Sequence, residues 1–377
     1  MSSFDLGRSI TRRQVLRAGA GGALSFYGAA ALAGCTVGRA VETPEGGVSV
    51  KPKVDGDLLI YNWSQYMDPA LKAGFSEKYG VEVVEVNYDN LEAMVTKLRA
   101  GGRYDMIWPT PEYAARLNQE GLLANFDRED LRNAAGISSF YDSGWWDPES
   151  KISVPYTYYT TGIAWREDEV SGMTGSWNDL TNPDGEGRMF ILDDYQEAIG
   201  EAHLINGFDL NSADPNELEI SKETLLAQKD FARGISTASV QNLVNGTAAI
   251  HQAWNGDIVN VRNQVDDPEN YRYETCEEGV PVGTDLMCIP ATARAPGTAL
   301  LFMDWLIDPE NSAQNVNWNG YPAPVEGGRQ AFAALVKEEP AIDVDLEQLG
   351  EGGLEYRLDS AEDRALWTQT WTEVKAT

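Results

Sequence analysis

The chain has 377 residues, 42% of them hydrophobic, and carries 59 acidic against 29 basic side chains, a formal net charge of −30 at pH 7. This length is enough for two medium-sized domains, and the hydrophobic content is typical of a globular protein. So acidic a surface argues against nucleic acids and anionic membrane surfaces as partners, because both would require basic patches. Such self-repulsion is tolerated where salt screens it, so the composition predicts a halophilic, archaeal source.

Residues 1–34 are predicted to be an export signal. Arg12 and Arg13 precede an uncharged stretch at 18–33 whose Ala and Gly content is too high for a stable membrane span. The segment around the two arginines resembles a twin-arginine motif, and the Leu-Ala-Gly-Cys sequence that ends at Cys35 resembles a lipoprotein processing box. Together they imply export in the folded state and acylation of Cys35. A chance Arg-Arg pair and an unmodified cysteine are the alternative.

The first part of the mature chain alternates predicted strands and helices. A flexible tether is predicted over 35–54, because this segment has several Pro and Gly residues and no apolar periodicity. Apolar runs then predict strands at 58–61, 81–87 and 106–108, and capped or proline-started periodic segments predict helices at 68–79, 90–100 and from 111. This order indicates a parallel sheet covered by helices, with ligand sites beyond the carboxyl ends of the strands. The segments 62–66 and 109–112 are therefore candidate ligand loops.

A second alternating unit is predicted after 153–156. Strands are expected at 163–165, 189–192 and 248–253, and helices after Asp194 and from Ser221 to Gly234, which has a serine start and a glycine stop. Aromatic and acidic residues again follow the strand ends. The fold class predicted for the whole chain is therefore α/β.

The usual motifs of enzymatic chemistry do not occur in the sequence. His203 and His251 have no carboxylate or cysteine at metal-ligand spacing, and there is no nucleophile elbow, phosphate loop or dinucleotide-binding glycine motif after a strand. The acidic string at 343–347 lacks the central glycine and distal glutamate of a calcium loop, so we interpret it as solvated surface. The sequence thus predicts a protein that is not an enzyme and that needs no metal or cofactor.

Six segments, in the same order, resemble the spermidine/putrescine-binding proteins of bacterial ABC importers. They are LIYNWSQY at 59–66, YDMIWPT at 104–110, VPY at 154–156, Asp193-Asp194 with Glu197, AWNG at 253–256 and GYPAP at 320–324. The resemblance runs from about Asp57 to the C-terminus. It implies a two-lobed α/β fold of the periplasmic-binding-protein type (class II), with a hinge and a ligand cleft between the lobes. Chain crossings of that family would place one lobe at 55–160 plus 284–329 and the other at 161–283 plus 330–377.

The resemblance also implies a set of ligand-binding residues. They are Trp63, Ser64, Tyr66, Thr110, Glu112, Asp194, Glu197, Trp254, Asp285 and Tyr321. The aromatic rings would wall a polyamine, because methylenes pack on flat rings and ammonium groups favour ring faces by about 0.5–2 kcal/mol once desolvated. The aspartates and Glu197 would take the ammonium groups, because buried carboxylates need a cationic partner. Ser64 and Thr110 would either bind an amine or cap a helix.

Three residues depart from the family pattern. Gly283 stands where the family has a ligand-stacking tryptophan, and Glu112 stands where it has a tyrosine. Arg357 replaces a glutamine that touches an amine in the family, and an arginine there would repel a polyamine unless an acid neutralises it. These departures affect the expected ligand more than the expected fold.

Cys276 and Cys288 remain after lipidation of Cys35. An exported location permits a disulfide between them across a hairpin or loop at 277–287, and two buried free thiols are the alternative.

Three functions compete at this point. The first is a monomeric, lipid-anchored extracytoplasmic protein that captures a polyamine and delivers it to a membrane permease. The second is a protein of the same fold for another solute, such as a sugar, an amino acid or a ferric iron complex bound by Tyr156, Tyr158 and Tyr159. The third is a secreted hydrolase with Asp194 and Glu197 as an acid/base pair, which lacks a nearby nucleophile or metal.

Overall fold

The computed structural model describes residues 49–88, 90–142, 144–337, 339, 342–343, 354–358 and 360–377. The predicted export signal, the lipidation site Cys35, most of the tether and most of the acidic string at 343–347 lie outside them. Within the described residues, no helix combines the length and the apolar character that crossing a membrane requires.

The strands form two sheets, one parallel and one mixed. They are β1 Leu58–Trp63, β2 Val83–Tyr88, β3 Met106–Ile107, β4 Val154–Arg166, β5 Met189–Ile191, β6 Gly234–Ile235, β7 Ile250–Trp254, β8 Tyr271–Glu274, β9 Pro281–Met287 and β10 Leu354–Glu355. The first sheet has the order β2-β1-β3, and both of its pairings are parallel, as predicted. The second has the order β10-β9-β4-β7-β5-β6, with β8 paired to β4.

Helices follow or connect these strands. They are α1 Pro69–Tyr79, α2 Leu91–Arg99, α3 Pro111–Gln119, α4 Tyr195–Ile205, α5 Pro215–Phe231, α6 Ser239–Val244, α7 Asn255–Arg262, α8 Pro296–Leu306, α9 Pro309–Asn319, α10 Glu326–Leu335 and α11 Ala361–Ala376. The predicted start of α1 is confirmed, because Asp68 Oδ1 accepts a hydrogen bond of 2.8 Å from the Ala70 N–H. Asn90 caps α2 in the same way, accepting 2.8 Å from the Ala93 N–H.

The predicted limits of α5 are wrong. The helix begins at Pro215, after Asp214, whose side chain accepts hydrogen bonds from the first-turn N–H groups of Asn216 and Glu217. Ser221 lies inside the helix and is buried, where its hydroxyl bonds His203 Nδ1 at 2.6 Å. Gly234 begins β6 instead of ending a helix. The Asp-Pro pair is a stronger start signal than the serine, because the proline also fixes φ at the first helical position.

The strand β4 is shared by two groups of partners. Val154 to Thr160 pairs antiparallel with β9, and Thr161 to Arg166 pairs antiparallel with β7 and β8. The segment 153–156, which the sequence placed before the second unit, is thus the start of one long strand. The partners change at the predicted boundary between the lobes, and the boundaries themselves stay a prediction.

The buried apolar side chains form separate clusters on the two sheets. Ile60, Trp108 and Phe302 belong to a core on the first sheet, and Ile163, Trp177 and Trp367 belong to a core on the second. The first of these cores also includes Val154 and Tyr156 of β4 and Met287 of β9, so this end of the second sheet packs with the first sheet.

Cys276 and Cys288 are free and buried. They lie in different apolar clusters, and burial raises the pKa of each thiol. The disulfide alternative is wrong, and the alternative of two buried thiols is confirmed. Of the expected hairpin or loop at 277–287, the residues 277–280 form a turn and Pro281–Met287 form the strand β9.

Candidate ligand-binding site

A cavity of about 570 Å³ is lined by residues that follow the ends of several strands. Nine of the ten residues that the resemblance assigned to the ligand line it, namely Trp63, Ser64, Tyr66, Thr110, Asp194, Glu197, Trp254, Asp285 and Tyr321. This volume lies within the range of small-molecule binding sites. Glu112 is the tenth residue and does not line this cavity.

Asp285 and Tyr66 form a buried pair. The Tyr66 hydroxyl donates a hydrogen bond of 2.5 Å to Asp285 Oδ2 and also contacts the Thr157 hydroxyl. Asp285 lies on β9 and is 6% exposed. Burial raises the pKa of Asp285 to about 7, and the hydrogen bond from Tyr66 opposes this shift. The cost of ionising this carboxyl would fall if a cation bound beside it.

Asp194 and Glu197 lie at the first turn of α4. Asp194 Oδ1 caps the helix, accepting hydrogen bonds of 2.8 Å from the Gln196 N–H and 3.2 Å from the Glu197 N–H. Glu197 accepts hydrogen bonds from Trp254 Nε1 at 3.0 Å and from the Tyr356 hydroxyl at 2.8 Å. Burial and the nearby charge of Asp194 raise the pKa of Glu197 to about 7. Burial also raises the pKa of Asp194.

Aromatic rings surround these carboxyl groups. Tyr66 packs edge-on against Tyr321, with ring centroids 5.5 Å apart, and Trp63 packs on Tyr88 at 4.6 Å. Trp63 and Trp254 are half-buried, so each keeps part of its ring open towards the cavity. The arrangement combines flat apolar walls with acceptors, which suits a solute that has both methylene and cationic groups.

The two hydroxyl residues differ in their surroundings. Ser64 is exposed, in the turn that follows β1, and its neighbour Gln65 has a left-handed φ of 55°. Thr110 occupies the cap position of α3 but makes no capping bond. Its Oγ1 is buried and has no hydrogen-bond partner among the described residues. Thr110 therefore keeps a donor and acceptor for a bound solute.

Comparison with known proteins shows the family of this chain. The model of the family described as bacterial extracellular solute-binding protein matches residues 70–343. The chain belongs to this family. Its two-lobed α/β fold, with a ligand cleft, is the fold predicted from the sequence.

Relatives of this solute-binding protein match most of its chain and nearly all of their own. The spermidine/putrescine-binding periplasmic protein of Salmonella typhimurium is 27% identical over 88% of this chain and 95% of its own. A putrescine-binding periplasmic protein of Pseudomonas aeruginosa is 24% identical over 85% of this chain and 92% of its own.

Solved structures agree on the fold. The spermidine/putrescine ABC transporter substrate-binding protein of Streptococcus pneumoniae has a TM-score of 0.71 at 27% identity, covering 85% of this chain and 99% of its own. A lipoprotein of Treponema pallidum has a TM-score of 0.73 at 22% identity, covering 84% of this chain and 98% of its own.

Sequence reasoning missed several cavity residues of the solute-binding protein, among them Asp257, Gln196 and Tyr356, and it considered Tyr159 only for ferric iron. Asp257 is the most informative, because it adds a fourth carboxyl group. Its Oδ1 accepts a hydrogen bond of 2.6 Å from the Tyr321 hydroxyl, and its Oδ2 accepts one from the Ser239 hydroxyl. Burial raises its pKa to about 6. Its position in the strand-end segment 254–257 was the available signal.

Glu112 lines a smaller pocket of about 20 Å³ that adjoins the cavity. Gln196 Nε2 donates 2.9 Å to its Oε2, and Arg364 Nε lies 3.7 Å from its Oε1. Burial raises the pKa of Glu112 to about 7, against the opposing charge of Arg364. The pocket has room for about one water-sized group. A contact between Glu112 and the ligand stays a prediction.

Arg357 does not line the cavity of the solute-binding protein. It is exposed, and its guanidinium lies 5.0 Å from the Trp145 ring centroid. Its neighbour Tyr356 lines the cavity instead. Because the Arg357 guanidinium is exposed, solvent and salt screen its repulsion of a cationic ligand.

The cavity contains four carboxyl groups and no basic side chain. Among the described residues that line it, none is a lysine or an arginine. In the same part of the chain, no three acidic, histidine or cysteine side chains cluster in a way that would hold a metal ion. No ion pair therefore joins these carboxyl groups to a lysine or arginine within the part of the chain that the structure describes, and Lys375 acts on Asp194 only as a more distant charge.

Proposed function

We propose that this solute-binding protein captures a polyamine of the spermidine/putrescine class and delivers it to the membrane permease of an ABC importer. The observation that carries the proposal is the cavity with Asp194, Glu197, Asp257 and Asp285, which has aromatic walls and no basic side chain among its described lining residues. The names of the relatives, which bind spermidine and putrescine, support the same ligand class.

Charge is the first basis of selection in this proposal. A buried carboxylate without a partner is costly, and an anionic solute would add to that cost. Asp285 lies on β9 beside Tyr66, and Asp194 and Glu197 lie at the start of α4 near Trp254. Two separate groups of acceptors would thus each take an ammonium. A linear amine with cationic groups joined by methylenes fits this pattern better than a sugar, which carries no charge.

The ferric iron alternative has little support in the cavity. Of the three tyrosines considered for it, only Tyr159 lines the cavity. Tyr156 is buried, and its hydroxyl donates a hydrogen bond of 2.9 Å to the Tyr66 carbonyl. Tyr158 is also buried. A paired-tyrosine iron site is therefore not formed by these residues.

The remaining inferences about this protein's place in the cell rest on its sequence. The twin-arginine motif and Cys35 support export and attachment by a lipid anchor, outside the cytoplasmic membrane. The acidic composition supports a halophilic, archaeal source. We infer a monomer that binds its ligand reversibly without turnover.

The test is calorimetric titration of the protein without its signal segment, in multimolar KCl, with spermidine, putrescine, arginine, glycine betaine and maltose. We expect one-to-one binding of a polyamine. Binding should weaken at least about 10-fold in Asp285→Asn and in Trp254→Ala, since each loses a cation contact. Asp230→Asn is the matched control, because it removes the same charge from an exposed position. Heat from maltose or glycine betaine, with none from polyamines, would refute the proposal.

A further inference from the structure

Tyr159 and Gly283 are directly opposed across the antiparallel pair of β4 and β9. A Cβ atom built on Gly283 would lie 2.0 Å from Tyr159 Cζ and 2.3 Å from its hydroxyl oxygen. Non-bonded atoms do not approach so closely, so the tyrosine ring occupies the space above the glycine. A side chain at residue 283 would have to displace that ring.

The Tyr159 ring faces the ligand cavity. It lines both the cavity of about 570 Å³ and the adjoining pocket of about 20 Å³. Its neighbour in the strand, Tyr158, points to the opposite face and is buried in a separate apolar cluster with Tyr61 and Leu286. Tyr159 also meets Trp254 edge-on, with centroids 6.0 Å apart. The two rings together make a continuous aromatic surface.

Carboxyl groups from both sides of the cavity act on Tyr159. Its pKa is raised well above the usual range, first by burial and then by the charges of Glu197, Asp285 and Asp194. The ring therefore lies among both groups of acceptors, and not beside one of them alone. Among the described residues, burial and these charges act on the Tyr159 hydroxyl but no hydrogen bond does, so the group remains available to a ligand.

We propose that Tyr159, seated on Gly283, is the aromatic wall for the central part of the bound cation and a determinant of which cations the cavity accepts. This inference rests on the proposed function. A chain that joins two ammonium groups places its methylenes beside the ring, and an internal ammonium would meet the ring face. Gly283 is then a requirement of the site, because the absence of a side chain there lets the ring lie in this position.

A double-substitution cycle tests this geometry. Spermidine and putrescine titrations would compare the unsubstituted protein with Tyr159→Ala, Gly283→Ala and the protein carrying both changes. Loss of the ring should weaken binding by about 3- to 30-fold. Gly283→Ala should also weaken binding, by displacing the ring, but it should cost little more once Tyr159 is already alanine. A purely structural role would not produce that dependence.

The controls separate this inference from the proposed function. Tyr104→Ala removes a half-buried tyrosine that stacks on Tyr61 outside the cavity, and it should bind within about twofold of the unsubstituted protein. If thermal unfolding shows that Tyr159→Ala is not folded, Tyr159→Leu is used in its place, since leucine keeps apolar volume without a ring.

Three results would overturn the proposal, in different ways. No polyamine binding by the unsubstituted protein refutes the proposed function and this inference with it. Normal binding by a folded Tyr159→Ala or Tyr159→Leu protein refutes the role of the ring alone. An equal loss from Gly283→Ala with and without Tyr159 refutes the seating of the ring on the glycine.

Discussion

Asp285, Glu197 and Asp257 are carboxyl groups whose protonation the cavity controls. Burial raises their pKa values to about 7, 7 and 6, respectively. A protonated carboxyl offers no charge to a cation, whereas a carboxylate does. A bound ammonium group favours the carboxylate form, so binding lowers these pKa values and releases protons near neutral pH.

Polyamine affinity should therefore rise with pH through this range. We expect binding at about pH 7.5 to be about 10-fold or more tighter than at about pH 5.5, because the cavity carboxyl groups ionise between these values and the amines stay charged. Calorimetry at both pH values, in two buffers of different ionisation enthalpy, measures the affinity and the protons released.

Asp285→Asn should reduce this pH dependence, because it removes one of the titrating groups. Asp230→Asn should retain it, since that residue is exposed and outside the cavity. An affinity that stays constant across the range would contradict the assignment of these carboxyl groups to the cation.

At the scale of elements, Asp194, at the start of α4, has two roles. Asp194 lines the cavity and also caps the helix through two backbone N–H groups. A cap hydrogen bond contributes about 0.5–2 kcal/mol, and an asparagine side chain can make the same bond without the charge. The two roles can therefore be separated by substitution.

Asp194→Asn and Asp194→Ala should differ in stability but not in charge. We expect the alanine variant to be about 1 kcal/mol less stable than the asparagine variant, because only alanine loses the cap. Both should bind polyamine more weakly than the unsubstituted protein. Chemical denaturation measures the first difference and calorimetry the second. Equal stability of the two variants would mean that the cap is unimportant.

How far the sequence predicts each element depends on whether its signal is local. The start of α1 was predictable because Asp68 and Pro69 set the cap and the first φ angle through neighbouring atoms. The length of β4 was not, because its continuity through 154–166 depends on pairing with β7, β8 and β9, which are distant in sequence. Short apolar runs do not reveal such partners.

The same distinction applies to the cavity. Trp63 and Tyr66 follow a strand end directly, so the position of the strand predicts where they lie. Tyr356 follows the strand β10, far along the chain, and the hydrogen bond from its hydroxyl to Glu197 depends on the tertiary fold. Residue spacing gives no information about that contact, and so Arg357 was considered in its place.

At the scale of the whole molecule, the formal net charge of −30 acts against the compact state. Most of these acidic groups lie outside the cavity, and their mutual repulsion is screened by salt. The protein should therefore gain stability as ions accumulate around it, independently of any ligand.

Thermal unfolding should test this charge effect directly. We expect the Tm to rise between about 0.1 M and about 1 M KCl, since the Debye length falls from about 10 Å to about 3 Å over this range. The same titration with an uncharged osmolyte of equal osmolality is the control. A Tm that stays constant or falls with KCl would show that surface repulsion does not limit stability.

The position of Tyr159 within β4 has a mechanical consequence. It precedes by one residue the point, between Thr160 and Thr161, where the strand passes from β9 to β7 and β8. If the β9 side of the second sheet turns against its β7 and β8 side about that point when a solute enters, atoms beside the point move least, because they lie near the axis of rotation. A ligand that packs on Tyr159 would stay near the axis of rotation, while carboxyl groups farther from that axis would move towards the ligand. The position of the ligand on the ring would then be set before the cleft closes, and the rest of the cavity would close around a ligand already in place.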